Sequence, residues 1–166
     1  TSTAGTPRTT AMPEFGAGEF GPGCRLLQEQ LHRAFWQEWP SECCGAVFRH
    51  PNGSWTFQPL RNVTEGDPLS SFEADPLQVL RICRKADRSG GRVGAWIHSH
   101  PRQNGACSVA DLSAFWARKQ WLWPEMSQGI LHLNAQEQVC LALYGPSTDP
   151  QSPQPSWQGP LTHLTG

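Results

Sequence analysis

The stretch Trp96-Ile97-His98-Ser99-His100-Pro101 decides how the rest of the chain is interpreted. It has the pattern of a β-strand that ends at the proline, and side chains alternate across a strand. His98 and His100 are therefore expected to point to the same side. Ser108 and Asp111 follow and open a predicted helix, which brings a carboxylate back towards the two imidazoles. Two nitrogens and one oxygen, with a fourth position open, are the ligand set of a catalytic zinc site.

The flanking sequence predicts alternating helices and strands around this stretch. Apolar periodicity predicts three helices. An Asp-Pro pair marks the start of the second, and Trp-Pro or Gly-Gly pairs mark the ends. The predicted helices span 24–38, Asp75-Pro76 to about Arg88, and Leu112 to Trp123-Pro124. Strands are predicted over Cys43–Phe48, Ser54–Leu60, Val93–Ser99, Gly129–Leu133 and Val139–Tyr144. Asn52-Gly53 is expected to supply the positive-φ residues of a tight hairpin turn. The order α-β-β-α-β-α-β-β predicts an α/β (α+β) domain, with helices packed on a curved, mostly antiparallel sheet.

The two ends of the chain differ in composition from this centre. Residues 1–23 are rich in Gly, Pro, Thr and Ser, and residues 145–166 contain five prolines in close succession. Such sequences bury too little apolar surface to offset the entropy of ordering, so both are expected to be disordered or extended tails. The predicted compact domain is residues 24–144, which is enough for one hydrophobic core.

Charge, hydropathy and cysteine usage exclude several classes of protein. The formal net charge of −1 and the lack of a basic run argue against nucleic acid or an anionic membrane as the main partner. No apolar run approaches the roughly 18 residues of a membrane span, and no charged-then-apolar leader is visible. The six cysteines contain no Cys-x-x-Cys pair, which favours a reduced, cytoplasmic protein over a disulfide scaffold.

Each part of the candidate site also has a structural interpretation. A lone histidine is usually hydrogen-bonded and structural, as is expected here for His32, His50, His132 and His163. Ser108-x-x-Asp111 matches a capping box at the start of a helix. A glutamate such as Glu42 is usually an exposed carboxylate at a strand edge. The convergent pair His98 and His100, followed at this spacing by Ser108 and Asp111, favours the metal site instead.

This pattern resembles the signature of the JAMM (MPN+) zinc metalloproteases. The resemblance consists of His98-x-His100-Pro101, then Ser108-x-x-Asp111 seven residues later, and upstream Pro40-Ser41-Glu42-Cys43-Cys44-Gly45. Asn62, Phe72 and Asp75-Pro76 in the interval between them are also similar. The resemblance covers about 24–144 and implies a single MPN/JAB-type domain with cytidine-deaminase-like layering.

The family's chemistry implies a role for each matched residue. His98, His100 and Asp111 are expected to hold one Zn²⁺ per chain. Glu42 is expected to take a proton from the attacking water and pass it to the departing amine. Ser108 is expected to hydrogen-bond the oxyanion of the tetrahedral intermediate. The implied activity is that of a zinc-dependent isopeptidase or peptidase.

The substrate implied by the family is the C-terminal Gly-Gly tail of ubiquitin or a ubiquitin-like modifier, docked as an added strand. Rival interpretations are the same chemistry on a sulfur-carrier adduct, a phage-tail peptide or a cell-wall peptide, and a non-catalytic scaffold of the same fold. Cys107 replaces a proline found in many prokaryotic members, and is either a competing or regulatory metal ligand or an inert thiol. The tryptophans near the motif are either core residues or a substrate groove: Trp96, Trp116, Trp121 and Trp123.

Overall fold

The structure is a computed structural model that describes residues 24–102, 116–117, 120–121, 126–145, 148–149 and 151–164. Its helices are α1 (Cys24–Glu38), α2 (Pro76–Ser89) and a short 3-10 helix (Leu161–Leu164). Its strands are β1 (Cys44–Arg49), β2 (Trp55–Leu60), β3 (Arg92–His100), β4 (Trp116–Ala117), β5 (Gln120–Trp121), β6 (Ser127–Leu133), β7 (Val139–Tyr144) and β8 (Trp157–Pro160).

Six of the strands form one sheet in the order β2-β1-β3-β6-β7-β8. Every neighbouring pair in this sheet is antiparallel except β3 and β6, which run parallel. The predicted mostly antiparallel sheet flanked by helices is therefore confirmed. The parallel pair matters most for the site, because it sets β6 directly beside the strand that carries both histidines.

A hydrophobic cluster lies on each face of the sheet. On one face, α1 contributes Leu27, Leu31 and Phe35, which pack with the sheet residues Val47, Ile97, Leu131 and Leu141. On the other face, α2 contributes Ile82 and Ala86, which pack with Cys44, Phe48 and Val93, and Trp96 packs against this second cluster. Since Ile97 and Trp96 lie on opposite faces, His98 and His100 share the face of Trp96 and α2.

The α2 helix begins and ends as its sequence predicts. The Asp75 side chain accepts a hydrogen bond from the backbone N–H of Leu77, and proline follows the cap. Gly90 ends the helix with φ 72°, in the left-handed region that favours glycine. The Arg61 guanidinium lies 2.8 Å from the Asp75 carboxylate and lowers the pKa of that carboxyl. This cap therefore also ties the helix to the end of β2.

The first hairpin is confirmed, but its turn differs from the prediction. Only Gly53 has a positive φ, of 85°, and the turn is a wider one in which the N–H of His50 donates to the carbonyl of Ser54. Asn52 acts through its side chain, which accepts hydrogen bonds from the backbone N–H and the hydroxyl of Ser54. The asparagine therefore stabilises the turn as an Asx residue rather than by its own backbone conformation.

The predicted third helix is wrong at the four residues of it that the structure describes. Trp116–Ala117 pairs antiparallel with Gln120–Trp121, and Trp116 lies opposite Trp121 in the register. Tryptophan is enriched in strands, and an apolar pattern this short fits a strand as well as a helix. The rest of the predicted helix lies outside the described residues.

The expected disordered or extended C-terminal tail needs correction. Residues Trp157–Pro160 are extended, but they pair with β7 as the sixth strand of the sheet, and Leu161 is buried in the core cluster that contains α1. Ser156 also binds this segment to β7, because its N–H and its hydroxyl both donate to the carbonyl of Leu143. A few apolar side chains and a strand edge are enough to order a proline-rich segment.

None of the helices in the described part of the chain is long and apolar enough to span a membrane.

Candidate active site

The two histidines of the motif lie together at the end of β3. The Nε2 atoms of His98 and His100 are 3.1 Å apart, and their ring centroids are 4.9 Å apart. Both side chains are buried, with 1% and 6% of their surface exposed. The prediction that alternation along the strand brings the two imidazoles to one side is therefore confirmed.

The pairing of β1 with β3 determines where Glu42 lies. Cys44 is opposite His98 in the antiparallel register. Beyond it the backbone N–H of Ser99 donates to the carbonyl of Cys43, and the N–H of Cys43 donates to the Ser99 hydroxyl at 2.8 Å. Continuing this register by one residue sets Glu42 opposite His100, on the same face of the sheet. The glutamate is only 5% exposed, so the interpretation of it as an exposed strand-edge carboxylate is wrong.

The loop between β2 and α2 fixes the backbone of Glu42. Its N–H donates to the carbonyl of Pro68, and its carbonyl accepts from the Asn62 side chain. The same Asn62 amide also bonds the carbonyl of Ser71 and the N–H of Glu73. Asn62 thus joins the glutamate to the far side of the loop, which explains why an asparagine stands just after β2.

Phe72 covers one of the histidines from this loop. Its ring is stacked on the His98 ring, with centroids 4.4 Å apart and planes inclined by 18°. An aromatic ring stacked on the imidazole in this way restricts rotation of the His98 side chain. The loop between β2 and α2 therefore contacts both Glu42, the candidate base, and His98, a candidate metal ligand.

Two buried thiols follow Glu42 in the chain: Cys44 lies on the face of the histidines, and Cys43 packs on the opposite, α1 face. Burial raises the pKa of Cys43 to about 11 and that of Cys44 to about 12. Both thiols are therefore protonated near neutral pH when no metal is bound. The Cys44 thiol lies 3.5 Å from the carbonyl of Leu60. The five cysteines that the structure describes are all free.

His132 is a site neighbour that the sequence reasoning missed. It lies on β6 in register with His100 and is 5% exposed, and its buried Nε2 atom has no hydrogen-bond partner within the part of the chain that the structure describes. Burial lowers its pKa, a hydrogen bond to the backbone of Leu133 raises it, and the charge of His100 lowers it. The sequence offers one signal for this residue: His132 is the single polar side chain in the otherwise apolar run Gly129–Leu133, where a histidine is not expected unless it has a role in the interior.

Three residues of the predicted site, Ser108, Asp111 and Cys107, lie outside the described residues. Among the residues that are described, no three His, Cys, Asp or Glu side chains converge as a metal site. The described geometry is thus a pair of imidazoles with a buried glutamate beside them on the adjacent strand.

Comparison with protein families identifies the domain. Prokaryotic homologs of the JAB domain match residues 25–142. The chain belongs to this family. The match includes β3 with both histidines, the Glu42 segment and β6, so the site described above lies within the JAB-type domain.

Comparison with known proteins adds only the fold. No curated protein sequence matches the chain significantly. A solution structure from Desulfitobacterium hafniense is similar, with 23% identity, 70% of this chain and 81% of that chain covered, and a TM-score of 0.51. A protein from Salinibacter ruber has 15% identity, 80% and 86% covered, and a TM-score of 0.48.

Proposed function

We propose that this JAB-type domain is a zinc-dependent peptidase or isopeptidase, which hydrolyses the amide bond after the C-terminal glycine of ubiquitin or a ubiquitin-like modifier. The observation that carries the proposal is the pair of buried Nε2 atoms 3.1 Å apart, with Glu42 on the neighbouring strand. Two nitrogens bound about 2.0–2.1 Å from a tetrahedral ion stand roughly 3.3–3.4 Å apart. The spacing of His98 and His100 therefore fits a shared Zn²⁺, with Asp111 proposed as the third ligand.

Each protein group has a defined task in this proposal. Bound Zn²⁺ supplies a Lewis acid that polarises the scissile carbonyl and makes water more acidic. Glu42 removes the proton from the attacking water and delivers it to the departing amine. Ser108 donates a hydrogen bond to the oxyanion. Burial of the two imidazoles and the glutamate supports this scheme, because charge stabilisation is stronger where water is excluded.

Strand addition of the modifier tail is disfavoured at one edge of the sheet. The outward N–H of Phe57 on β2 already donates to the Gln30 side chain, and that of Arg61 donates to the Gln78 side chain. Pro59 between them has no N–H to offer. Since an added strand needs free donors on the edge, we propose that the tail docks elsewhere than on β2.

The family match favours a second candidate of the same chemistry. Because the matching family consists of prokaryotic homologs, a sulfur-carrier adduct, a phage-tail peptide or a cell-wall peptide is the alternative substrate. We also propose a reducing, cytoplasmic setting, which the free thiols of the described cysteines support.

A single comparison of variants tests the proposal. The zinc-loaded wild-type chain is incubated with Gly-Gly-tailed modifier fusions, a sulfur-carrier adduct and peptidoglycan fragments. The variant Glu42→Gln is assayed in the same way. The control is Glu29→Gln, because the Glu29 carboxylate is exposed on α1. We expect hydrolysis by the wild type and the control, and a rate lower by about 10²–10⁴-fold in Glu42→Gln, the size of a lost general base.

The other outcomes also decide between the interpretations. Cleavage of peptidoglycan fragments or the sulfur-carrier adduct alone selects the second candidate. Zinc binding without hydrolysis of any substrate favours a non-catalytic scaffold. Full activity of Glu42→Gln, or of the wild type in a strong chelator, overturns the mechanism.

A further inference from the structure

The exposed side of α2 carries four cations on one face. Arg81, Arg84, Lys85 and Arg88 occur at the spacing i, i+3, i+4 and i+7, which aligns side chains along one side of a helix. We call these four residues the cationic face. All are exposed, whereas the buried residues Ile82 and Ala86 lie on the side of the helix that packs against the sheet. The sequence showed no basic run, because the helix assembles the face from dispersed positions.

The cationic face is not neutralised by the part of the chain that the structure describes. The ion pair found there joins Arg61 to Asp75, and none involves the four cations. Asp87 is on the same helix at the flank of the face, and the Lys85 ammonium lies 5.3 Å from the Phe48 ring centroid. Like charges three and four residues apart destabilise a helix. A bound counter-charge removes this repulsion.

Two exposed leucines extend the face towards the start of the helix. Leu77 is 64% and Leu80 is 46% exposed, and they precede Arg81 and Arg84 by four residues each. From Leu77 to Arg88 the helix rises about 16 Å at 1.5 Å per residue. The surface therefore has an apolar end and a cationic end. A depression of about 410 Å³ lies among the four cations and Ser89.

We propose that this side of α2 docks an acidic peptide segment of a partner protein, with carboxylates against the cationic face and an apolar side chain over Leu77 and Leu80. Nucleic acid matches the cations, but its phosphates leave the leucines uncovered. A membrane surface covers leucines, but two of them give little apolar area, and the chain's formal net charge of −1 weakens attraction to anionic lipid. The acidic peptide is the occupant that matches both ends of the surface.

The proposal is independent of catalysis and is tested by binding. The probe is a fluorescein-labelled peptide of four glutamates followed by leucine and phenylalanine, measured by fluorescence anisotropy with the full chain. Its control is a peptide of the same composition with leucine and phenylalanine placed between the glutamates. A DNA duplex and vesicles of phosphatidylserine and phosphatidylcholine are assayed in parallel.

Two pairs of variants locate the binding surface. Arg81→Gln/Arg88→Gln changes the cationic face, and Arg25→Gln/Arg33→Gln makes the same change at exposed positions of α1. We expect the first pair to weaken binding at least about tenfold, with a flatter salt dependence, and the second to leave it unchanged. Leu77→Ser/Leu80→Ser should weaken binding about three- to tenfold without changing the salt dependence, because it removes apolar contact only.

Circular dichroism establishes that each variant retains its helices. Equal binding by the wild type and Arg81→Gln/Arg88→Gln overturns the proposal. So does tight binding of the duplex or the vesicles with no binding of the peptide, or equal affinity for the two peptides.

Discussion

The Nε2 atoms of His98 and His100 lie 3.1 Å apart, and both rings are buried. At this distance one Nε2 donates a hydrogen bond to the other when no metal is bound, and a divalent cation held by both nitrogens would take the place of that proton. We therefore expect this pair to bind a metal in the absence of any substrate.

We expect the chain to bind about one Zn²⁺, and His98→Gln or His100→Gln to weaken that binding. The loss should exceed the roughly 10- to 100-fold typical of a removed supporting hydrogen bond, since a ligand itself is removed. His32→Gln is the control, because His32 is exposed on α1 and accepts a hydrogen bond from Trp36. Elemental analysis and competition with a chelating dye give stoichiometry and affinity. Wild-type affinity in both site variants would contradict the assignment.

Ser99 is expected to position Glu42 through the backbone. Its hydroxyl accepts from the buried N–H of Cys43, so Ser99→Ala leaves that donor without a partner. The free energy of unfolding should fall by about 1–3 kcal/mol. The hydrolysis rate should fall with it, while zinc stoichiometry stays unchanged.

Ser89→Ala is the matched control for Ser99, because the Ser89 hydroxyl also accepts a backbone N–H, from Gly91, but on the surface. Urea denaturation and initial rates measure both effects. A Ser99→Ala protein as active as Ser89→Ala would show that this hydrogen bond does not position the glutamate.

The sequence predicts the local parts of this site and misses the parts that depend on distant pairing. The spacing of His98 and His100 is enough to predict their convergence, because period two is a property of any strand. The position of Glu42 depends on the bond between Ser99 and Cys43, residues 56 apart in sequence. His132 joins the site only because β6 pairs parallel to β3, and no local pattern specifies that pairing.

The same distinction explains the errors in the predicted fold. The α1 and α2 helices are specified by their own periodicity and, for α2, by its caps, and their predicted bounds agree with the structure to within about one residue. Trp157–Pro160 becomes a strand because the edge of β7 is available, although its composition is typical of a tail. The residues of the Trp116–Trp121 pairing are compatible with either a helix or a strand, and tertiary contacts determine which of the two forms.

Gln30 is expected to protect the β2 edge from self-association. Its side-chain oxygen accepts the N–H of Phe57 at 2.8 Å, which removes a donor from an edge strand. Gln30→Ala should lower the free energy of unfolding by about 1 kcal/mol and increase concentration-dependent association. The control Gln37→Ala removes an exposed glutamine from the same helix. Thermal unfolding and light scattering measure the two effects, and equal scattering by both variants would contradict the protective role.

The buried imidazole of His132 makes stability depend on pH. Its folded pKa is lowered from the ordinary value of 6.5, mainly by burial, so the unfolded chain binds a proton that the folded chain does not. Stability therefore falls as pH decreases through the unfolded pKa, and is regained as pH rises above it. Between about pH 7.5 and pH 5.5, we expect the free energy of unfolding to decrease less in His132→Gln than in the wild type. Urea denaturation in the presence of a chelator measures it without a contribution from bound metal. His32→Gln removes an exposed imidazole and should keep the fall, so identical pH profiles for the two variants would contradict a folded His132 that resists protonation.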